Sequence, residues 1–171
     1  MGDIYVELAR KSLESYIADG TKLKMPEDLP EELTGRRAGA FVSLHKNGEL
    51  RGCIGTIGPT TSCVAQEIIN NAVSASTRDP RFPPVRADEF PELEINVDVL
   101  SEPEDIDSLD KLDVKRYGVI VSTPDGRRGL LLPDLEGVDT VGEQVAIAMH
   151  KGGISPHEKI YLQRFEVVRY T

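Results

Sequence analysis

LHKNGELRGCIGT, residues 44–56, has the pattern of a β-hairpin that turns at Asn47-Gly48. Asn-Gly is the dipeptide that a two-residue type I′ turn prefers, because both positions need a positive φ angle. Such a turn places Lys46 opposite Glu49. The sequence therefore predicts two antiparallel strands over residues 38–56, and the rest of the fold must pack around them.

The same register predicts which side chains of the hairpin share a face. It pairs Val42 with Cys53 and Leu44 with Arg51, and directly opposed residues point to the same side of a sheet. Since Arg51 and Cys53 are two residues apart, they share one face, and His45 falls on the other. This register disfavours a Cys53–His45 dyad, although a bulge or a three-residue loop would reverse the assignment.

Cys53 has three possible roles on sequence grounds. A reactive cysteine needs nearby positive charge or backbone N–H groups, together with solvent access, and Arg51, Gly52 and Gly55 could supply these. Cysteine is also among the most buried residue types, and glycine in a strand often marks a bulge or close packing. Packing, ligand binding and nucleophilic catalysis are all compatible with the motif.

The composition indicates a globular protein with no general affinity for nucleic acid. The chain has 171 residues, of which 39% are hydrophobic and 29% charged, and this length fits one domain. Its net charge of −9 would repel phosphate backbones. No apolar run approaches the roughly 20 residues that cross a bilayer. Two cysteines fit a reducing compartment, so we expect a cytoplasmic protein without a membrane segment.

Two helices are predicted on either side of the hairpin. Apolar residues recur at three-to-four spacing over residues 5–17 and again over residues 64–73. Asp3 is the predicted N-cap of the first helix and Gly20 its end. The second helix is predicted to be capped by Thr60, Thr61 or Ser62.

The second half of the chain predicts further strands joined by tight turns. Residues 93–99 alternate between apolar and polar, residues 119–132 form a second hairpin, and residues 160–170 form a closing strand with a bulge near Gln163 or Arg164. A capping box at Thr140 starts a helix that ends at Gly152. Irregular or extended connections are predicted over residues 24–37 and 78–85, and an acidic connection, a solvated turn with a short helix, over residues 101–113. The predicted fold class is α+β, with a mainly antiparallel sheet flanked by helices.

The sequence predicts no metal and no nucleotide cofactor. None of the cysteines and histidines has the spacing of a zinc site. The glycines in GCIG, residues 52–55, and GRRG, residues 126–129, match neither a P-loop nor a dinucleotide fingerprint.

Several arginines near predicted loops or strand ends are candidates for binding an anion. Convergent guanidinium groups bind carboxylate or phosphate through paired hydrogen bonds. The alternative is that each arginine forms a surface ion pair with one of the 29 acidic residues. Arg51 and Arg81 carry most weight, because Arg51 shares a predicted face with Cys53 and Arg81 lies in a proline-rich loop. The full set is Arg51, Arg78, Arg81, Arg127 and Arg128.

Six segments that follow one another along the chain together resemble the AMMECR domain family. They are LHKNGELRGCIGT (44–56), DPRFPPV (79–85), INVDVLSEPEDI (95–106), GVIV (118–121), GRRGLLLP (126–133) and EKIYLQRFEVVRY (158–170). The resemblance implies a single domain over residues 1–171, built from a larger antiparallel part and a smaller subdomain packed beside it. Family members often have a tryptophan after the last proline of GRRGLLLP, whereas this chain has no tryptophan.

The resemblance also implies a set of ligand-binding residues and partners, but no established activity. The family motifs map onto Arg51, Gly52, Cys53, Gly55, Asp79, Arg81 and Arg128. Prokaryotic relatives are grouped with a Memo-like protein and a radical-SAM enzyme, which are therefore possible partners.

Three functions follow from these residues. The leading interpretation is a cytoplasmic ligand-binding or accessory component, in which Arg51, Cys53 and Arg81 line a cleft for a small anion. The second is a thiol enzyme with Cys53 as the catalytic nucleophile, for which Arg51 or Arg81 would stabilise the thiolate. The third is a docking module whose partner binds at DPRFPP, residues 79–84.

Overall fold

The computed structural model describes residues 3–171 and divides into two compact units. The first unit runs as far as Leu100 and resumes at Val168–Thr171, and the second comprises Ser101–Val167. Each unit is built on a four-stranded antiparallel sheet, with helices on one face. The predicted α+β class is confirmed.

The described chain contains helices and strands in mixed order. They are α1 (Ile4–Asp19), α2 (Glu31–Thr34), β1 (Ala40–Lys46), β2 (Glu49–Gly55), α3 (Val64–Thr77), β3 (Leu93–Leu100), β4 (Glu104–Ile106), β5 (Gly118–Ser122), β6 (Arg128–Leu131), α4 (Val141–Lys151), β7 (Tyr161–Phe165) and β8 (Val167–Tyr170). Short 3₁₀ helices occupy Ala87–Glu92 and Leu109–Lys111. Within residues 3–171, no helix combines the length and the apolar character that crossing a membrane requires.

The first unit packs α1 and α3 on one face of the sheet β2-β1-β3-β8. Its core joins alternate residues of the strands, such as Val42 and Leu44, to apolar residues of the helices, such as Leu13 and Ile68. The prediction for α1 is confirmed, because the Asp3 side chain accepts a hydrogen bond from the backbone N–H of Tyr5 and Gly20 ends the helix with a φ of 74°.

The hairpin turns where predicted, but its register changes after the first two residues of β2. Asn47 and Gly48 both have positive φ angles, and Lys46 pairs with Glu49 as expected. Between the pairs His45–Leu50 and Leu44–Gly52, however, Arg51 is an extra residue in β2. This bulge makes the predicted pairs Leu44–Arg51 and Val42–Cys53 wrong.

The second unit places α4 on one face of the sheet β4-β7-β5-β6. Val119, Val121 and Leu131 face the helix and form a core with its Val145 and Ala148. The predicted hairpin β5–β6 is confirmed. So is the start of α4, where the Thr140 hydroxyl accepts a hydrogen bond from the backbone N–H of Glu143.

The structure corrects four further expectations. The predicted connection over residues 24–37 contains the short helix α2. The predicted connection over residues 101–113 contains the strand β4, whose charged residues are typical of an edge strand. The closing segment is two strands in different sheets, not one bulged strand, because the chain passes from one sheet to the other at Glu166. The N-cap of α3 is Cys63, without a side-chain hydrogen bond, and the hydroxyls of Thr60 and Thr61 contact Glu67 instead of capping the helix.

Candidate functional site

The candidate site begins where the loop after α3 contacts the outer edge of β2. β2 is the edge strand of its sheet, so part of its backbone lacks a neighbouring strand. At Cys53 the Asp79 side chain takes the place of the missing strand. The backbone N–H of Cys53 donates to Asp79 Oδ2 at 3.0 Å. Asp79 is almost fully buried. Its carboxylate therefore replaces a strand partner at the residue of greatest chemical interest.

Arg81 lies beside the same two residues. Its Nε donates to Asp79 Oδ1 at 3.0 Å and its Nη2 to Asp79 Oδ2 at 2.7 Å, and the backbone N–H of Arg81 donates to Oδ1 as well. These hydrogen bonds lower the pKa of Asp79 to about 2. The ion pair with Asp79, and to a smaller extent the charge of Cys53, raises the pKa of Arg81.

Arg81 is fixed in orientation and still open to solvent. Its Nη2 approaches the carbonyl oxygen of Cys53 at 3.5 Å, and its side chain is 51% exposed. A guanidinium held in one orientation loses little entropy when it binds an anion.

The Cys53 thiol is half-buried and lies next to a hydroxyl group. Its Sγ is 3.2 Å from Ser43 Oγ, and either atom can be the donor. Ser43 is opposite Cys53 because of the bulge. The thiol, the hydroxyl and the nearby guanidinium form a small polar cluster at the edge of the first sheet.

Arg51 has its guanidinium occupied by groups of the same loop. Its Nε and Nη2 donate to the two oxygens of Glu89 at 3.0 and 3.1 Å. Its Nη1 donates to the carbonyl oxygen of Pro83, and Nη2 donates to that of Pro84. Its side chain is only 14% exposed. Hydrogen bonds from Arg51 are the main reason that the pKa of Glu89 falls to about 2. Arg51 and Asp79 thus fasten the loop to β2 at two separate points.

The bulge also changes which residues share the outer face of the first sheet, the face opposite α1 and α3. Ser43 is opposite both Cys53 in β2 and Asn96 in β3, so these three residues form one row across the sheet. His45 lies two residues from Ser43 in β1 and points to the same face, since β1 pairs with β3 without interruption. The prediction that His45 and Cys53 lie on opposite faces is therefore wrong.

The whole chain was compared with known families and structures. The AMMECR1 family model matches residues 6–171. A protein of Thermotoga maritima is 52% identical over 97% of this chain and 96% of its own length. A protein of Clostridium acetobutylicum is 48% identical over 98% of this chain, which spans only 36% of that longer protein.

This chain belongs to the AMMECR1 family.

A solved structure shares the AMMECR1 fold of this chain. An uncharacterised protein of Pyrococcus horikoshii superposes with a TM-score of 0.90 and 33% sequence identity, covering 98% of this chain and 89% of the other. The fold that carries the candidate site is therefore shared with a solved protein of only 33% sequence identity.

The two glycines that flank Cys53 leave room for neighbouring groups. A Cβ atom on Gly52 would collide with the backbone carbonyl of Ala75 in α3, and one on Gly55 would collide with the ring of Phe41. Both glycines thus permit close packing around Cys53.

Arg128 belongs to the second unit, whereas Cys53, Asp79 and Arg81 belong to the first. It begins β6, opposite Ser122 of β5, and is exposed. The neighbouring Arg127 has a structural role, because it donates to the carboxylates of Asp125 and Glu158 and to the carbonyl of Gly153. The predicted ligand-binding residues therefore lie in two different units of this AMMECR1 domain.

Sequence reasoning missed Glu67, a buried carboxylate of α3. It is 1% exposed and accepts hydrogen bonds from the hydroxyls of Thr56, Thr60 and Thr61 and from the backbone N–H groups of Thr60 and Thr61. Burial opposes its ionisation, but these hydrogen bonds outweigh burial and lower its pKa. A glutamate within an apolar helix face, shortly after GPTT (58–61), is the signal that could have revealed it.

No cluster of three or more histidine, cysteine, aspartate or glutamate side chains able to hold a metal ion occurs in the part of the chain that the structure describes.

Proposed function

We propose that this AMMECR1-family protein is a cytoplasmic ligand-binding or accessory component that holds a small anion beside Cys53. The observation that carries this proposal is the half-exposed guanidinium of Arg81, which Asp79 fixes against the backbone carbonyl of Cys53, a residue with a half-buried thiol. The acidic composition and the two cysteines are typical of a protein in a reducing compartment.

The hydrogen bonds of Arg81 leave one side of its guanidinium available. Nε and Nη2 donate to Asp79, whereas Nη1 donates to no acceptor among residues 3–171. An anion bound at Nη1 would lie close to the thiol of Cys53 and the hydroxyl of Ser43, both of which can donate hydrogen bonds. In this proposal Arg51 is a positioning residue, because its own donors are already used by the loop.

Alkylation of Cys53 with a charged and a neutral reagent tests the anion site. Iodoacetate carries a carboxylate and iodoacetamide does not, so the ratio of their rates at one thiol reports local attraction for an anion. We expect this ratio to be higher at Cys53 in the native protein than in the unfolded chain. In Arg81→Ala it should fall about tenfold, the effect of one charge-assisted hydrogen bond.

Two controls make the alkylation experiment decisive. Arg86→Ala removes an arginine of the same loop whose side chain is 80% exposed, and it should leave the ratio unchanged. Cys63 is 3% exposed and should stay unlabelled in the native protein, as read by peptide mass spectrometry. An unchanged ratio in Arg81→Ala would contradict the anion site.

The second candidate is a thiol enzyme that uses Cys53 as the nucleophile. It is favoured by the register of β1, which brings His45 to the same face as Cys53, one row away. A base can act on a thiol directly or through one water molecule. Ser43 lies between the two residues and contacts the thiol.

The pH profile of iodoacetamide labelling distinguishes this enzyme from a binding site. If His45 accepts the thiol proton, Cys53 should be labelled at a lower pH than an ordinary thiol, whose pKa is about 8.5, and His45→Asn should abolish this difference. A profile that is identical in the wild type and His45→Asn excludes His45 as the base.

An accessory role also requires a partner, and the loop after α3 is the proposed contact. Pro83 and Pro84 have exposed side chains, while Arg51 holds their carbonyl groups. Purified Memo-like and radical-SAM proteins from the same genome are the partners to test. Binding that persists in Cys53→Ser but is lost in Pro84→Ala would support docking through this loop, and equal binding by both variants would exclude it.

A further inference from the structure

The second unit has a groove at one end of its sheet, where β4 and β5 end and β6 and β7 begin. Its volume is about 770 Å³, which is within the range of small-molecule sites. Residues of β4, β5, β6 and β7 line it, together with the turn between β5 and β6 and the residues before β7. The groove belongs to the second unit alone and includes none of the residues around Cys53.

One row of side chains across three strands defines the cationic end of the groove. Ser122 of β5 is opposite both Arg128 of β6 and Tyr161 of β7. Directly opposed residues have Cβ atoms about 5 Å apart, so Arg128 and Tyr161 flank the Ser122 hydroxyl. Lys159 reaches the same row, because its Nζ lies 5.5 Å from the centre of the Tyr161 ring.

The two cations of this row have no acidic partner. Among residues 3–171, no carboxylate lies within ion-pair distance of Arg128 or Lys159, although the chain as a whole is strongly acidic. Arg127, the neighbour of Arg128, shows the contrast, since it pairs with both Asp125 and Glu158. Arg128 is thus positioned to pair with an anion from outside the chain.

The other end of the groove presents acceptors. Asp105 in β4 is opposite Gln163 in β7, and the Gln163 amide donates to Asp105 Oδ1 at 3.0 Å. The exposed Asp107 also lines this end. These carboxylates retain free lone pairs for hydroxyl donors. The half-exposed ring of Tyr161 lies between the cationic and the acidic ends and offers a flat apolar surface.

We propose that this groove binds a small phosphomonoester that carries hydroxyl groups. The phosphate contacts Arg128, Lys159 and the Ser122 hydroxyl, the carbon skeleton lies on the Tyr161 ring, and the hydroxyl groups donate to Asp105 and Asp107. The cations supply affinity, and the separation of positive from negative ends selects a ligand with a phosphate at one end and donors at the other. This site is independent of the proposed function at Cys53.

Isothermal titration of the full-length protein tests the proposal with three probes: inorganic phosphate, ribose and ribose 5-phosphate. We expect ribose 5-phosphate to bind more tightly than phosphate, and ribose not to bind. Arg128→Ala should weaken ribose 5-phosphate binding about tenfold or more, and Lys159→Ala should weaken it less, because the exposed lysine is a more mobile donor. Raising the ionic strength should weaken binding in the wild type.

Lys151→Ala is the matched control, since it removes an exposed cation of the same unit from α4, which does not line the groove. It should bind ribose 5-phosphate as the wild type does. Both Arg128 and Lys159 are exposed, so their variants should fold, which circular dichroism can check. Three outcomes would overturn the proposal. The wild type does not bind ribose 5-phosphate, Arg128→Ala binds it as tightly as the wild type, or Arg128→Ala and Lys151→Ala lose equal affinity.

Discussion

Gly52 illustrates how a single residue sets the position of Cys53. Its Cα faces the carbonyl group of Ala75 in α3, and a Cβ atom there would overlap this backbone oxygen. Backbone atoms of a helix cannot rotate away as the end of a long side chain can. The absence of a side chain at residue 52 therefore lets β2 approach α3 closely and holds the next residue, Cys53, in place.

Gly52→Ala should destabilise the protein by about 1–3 kcal/mol, because β2 and α3 must separate to admit the methyl group. Urea unfolding measures this change in the free energy of unfolding. Gly58→Ala is the control, since a Cβ atom at Gly58 meets nothing within 4 Å and its φ is not in the left-handed region. We expect the control to be neutral or slightly stabilising. Equal stabilities of the two variants would refute the packing role of Gly52.

Arg51 shows what a sequence cannot reveal about one residue. The Asn-Gly turn predicted the first pair of the hairpin correctly, and a regular register from that pair puts Arg51 opposite Leu44. In the structure Arg51 is the extra residue of a bulge, and its guanidinium bonds to Glu89 and two prolyl carbonyls. The bulged residue thus contacts a loop some 30 residues later, and local sequence does not encode such a contact.

At the scale of elements, Glu67 joins the start of α3 to the segment that precedes it. Its carboxylate accepts hydrogen bonds from three threonine side chains and two backbone N–H groups. The segment between β2 and α3 consequently has its polar groups satisfied although it contacts the core. The threonines that we predicted as helix caps bind this carboxylate instead.

Glu67→Gln should lower the free energy of unfolding by about 2–3 kcal/mol. The amide nitrogen that replaces one carboxylate oxygen would face hydrogen-bond donors, and these buried donors would lose their acceptor. Urea unfolding is the measurement. Gln66→Ala changes the adjacent residue, whose side chain contacts Asn70 on the helix surface, and should cost less than about 0.5 kcal/mol. If Glu67→Gln were as mild as Gln66→Ala, the carboxylate would not be the anchor of this segment.

The whole molecule has an acid sensitivity that follows from its buried carboxylates. Hydrogen bonds from Arg81 and Arg51 lower the pKa values of Asp79 and Glu89 to about 2. A carboxylate whose pKa is lower in the folded state stabilises the protein above its unfolded pKa, and this contribution is lost as pH falls toward the folded pKa. Asp98 acts in the opposite sense, because burial raises its pKa despite the opposing interaction with Arg169.

We expect the unfolding free energy of the wild type to fall steeply between about pH 4.5 and pH 2, by about 2 kcal/mol for Asp79 and about 3 kcal/mol for Glu89. Glu89→Gln should be less stable at pH 6 and should show a shallower fall over this range. Glu92→Gln, which alters a half-exposed carboxylate that also contacts Lys46, should keep the steep fall. Urea titrations at pH 6, 4 and 3 give the slopes, and identical slopes for wild type and Glu89→Gln would contradict this assignment.

The path of the chain through its two units is also a property of the whole molecule. The second unit is inserted between β3 and β8, which are neighbours in the first sheet. The chain enters and leaves it side by side, since the backbone N–H of Ser101 donates to the carbonyl of Glu166 at 2.8 Å. The apolar residues of the closing segment, residues 160–170, switch from even to odd positions. This switch marks the return of the chain to the first sheet, although the sequence alone suggests a bulge.

The sequence by itself determined the class of the fold, most of its elements and the family. Helix periodicity, caps, the Asn-Gly turn and strand alternation are local signals, and each depends on residues within a few positions of one another. The motifs around Cys53 and Asp79 were likewise evident, and the structure brings Cys53, Asp79 and Arg81 into contact.

Only the tertiary structure decided which of these residues are available for chemistry. It engages the donors of Arg51 within the chain and fixes Arg81 against the backbone carbonyl of Cys53. It also brings His45 to the face of Cys53 and places Arg128 in a separate unit. Each result depends on a contact between distant segments or on a one-residue shift in strand pairing. Such a shift reverses the face of every later side chain, and no local pattern predicts it.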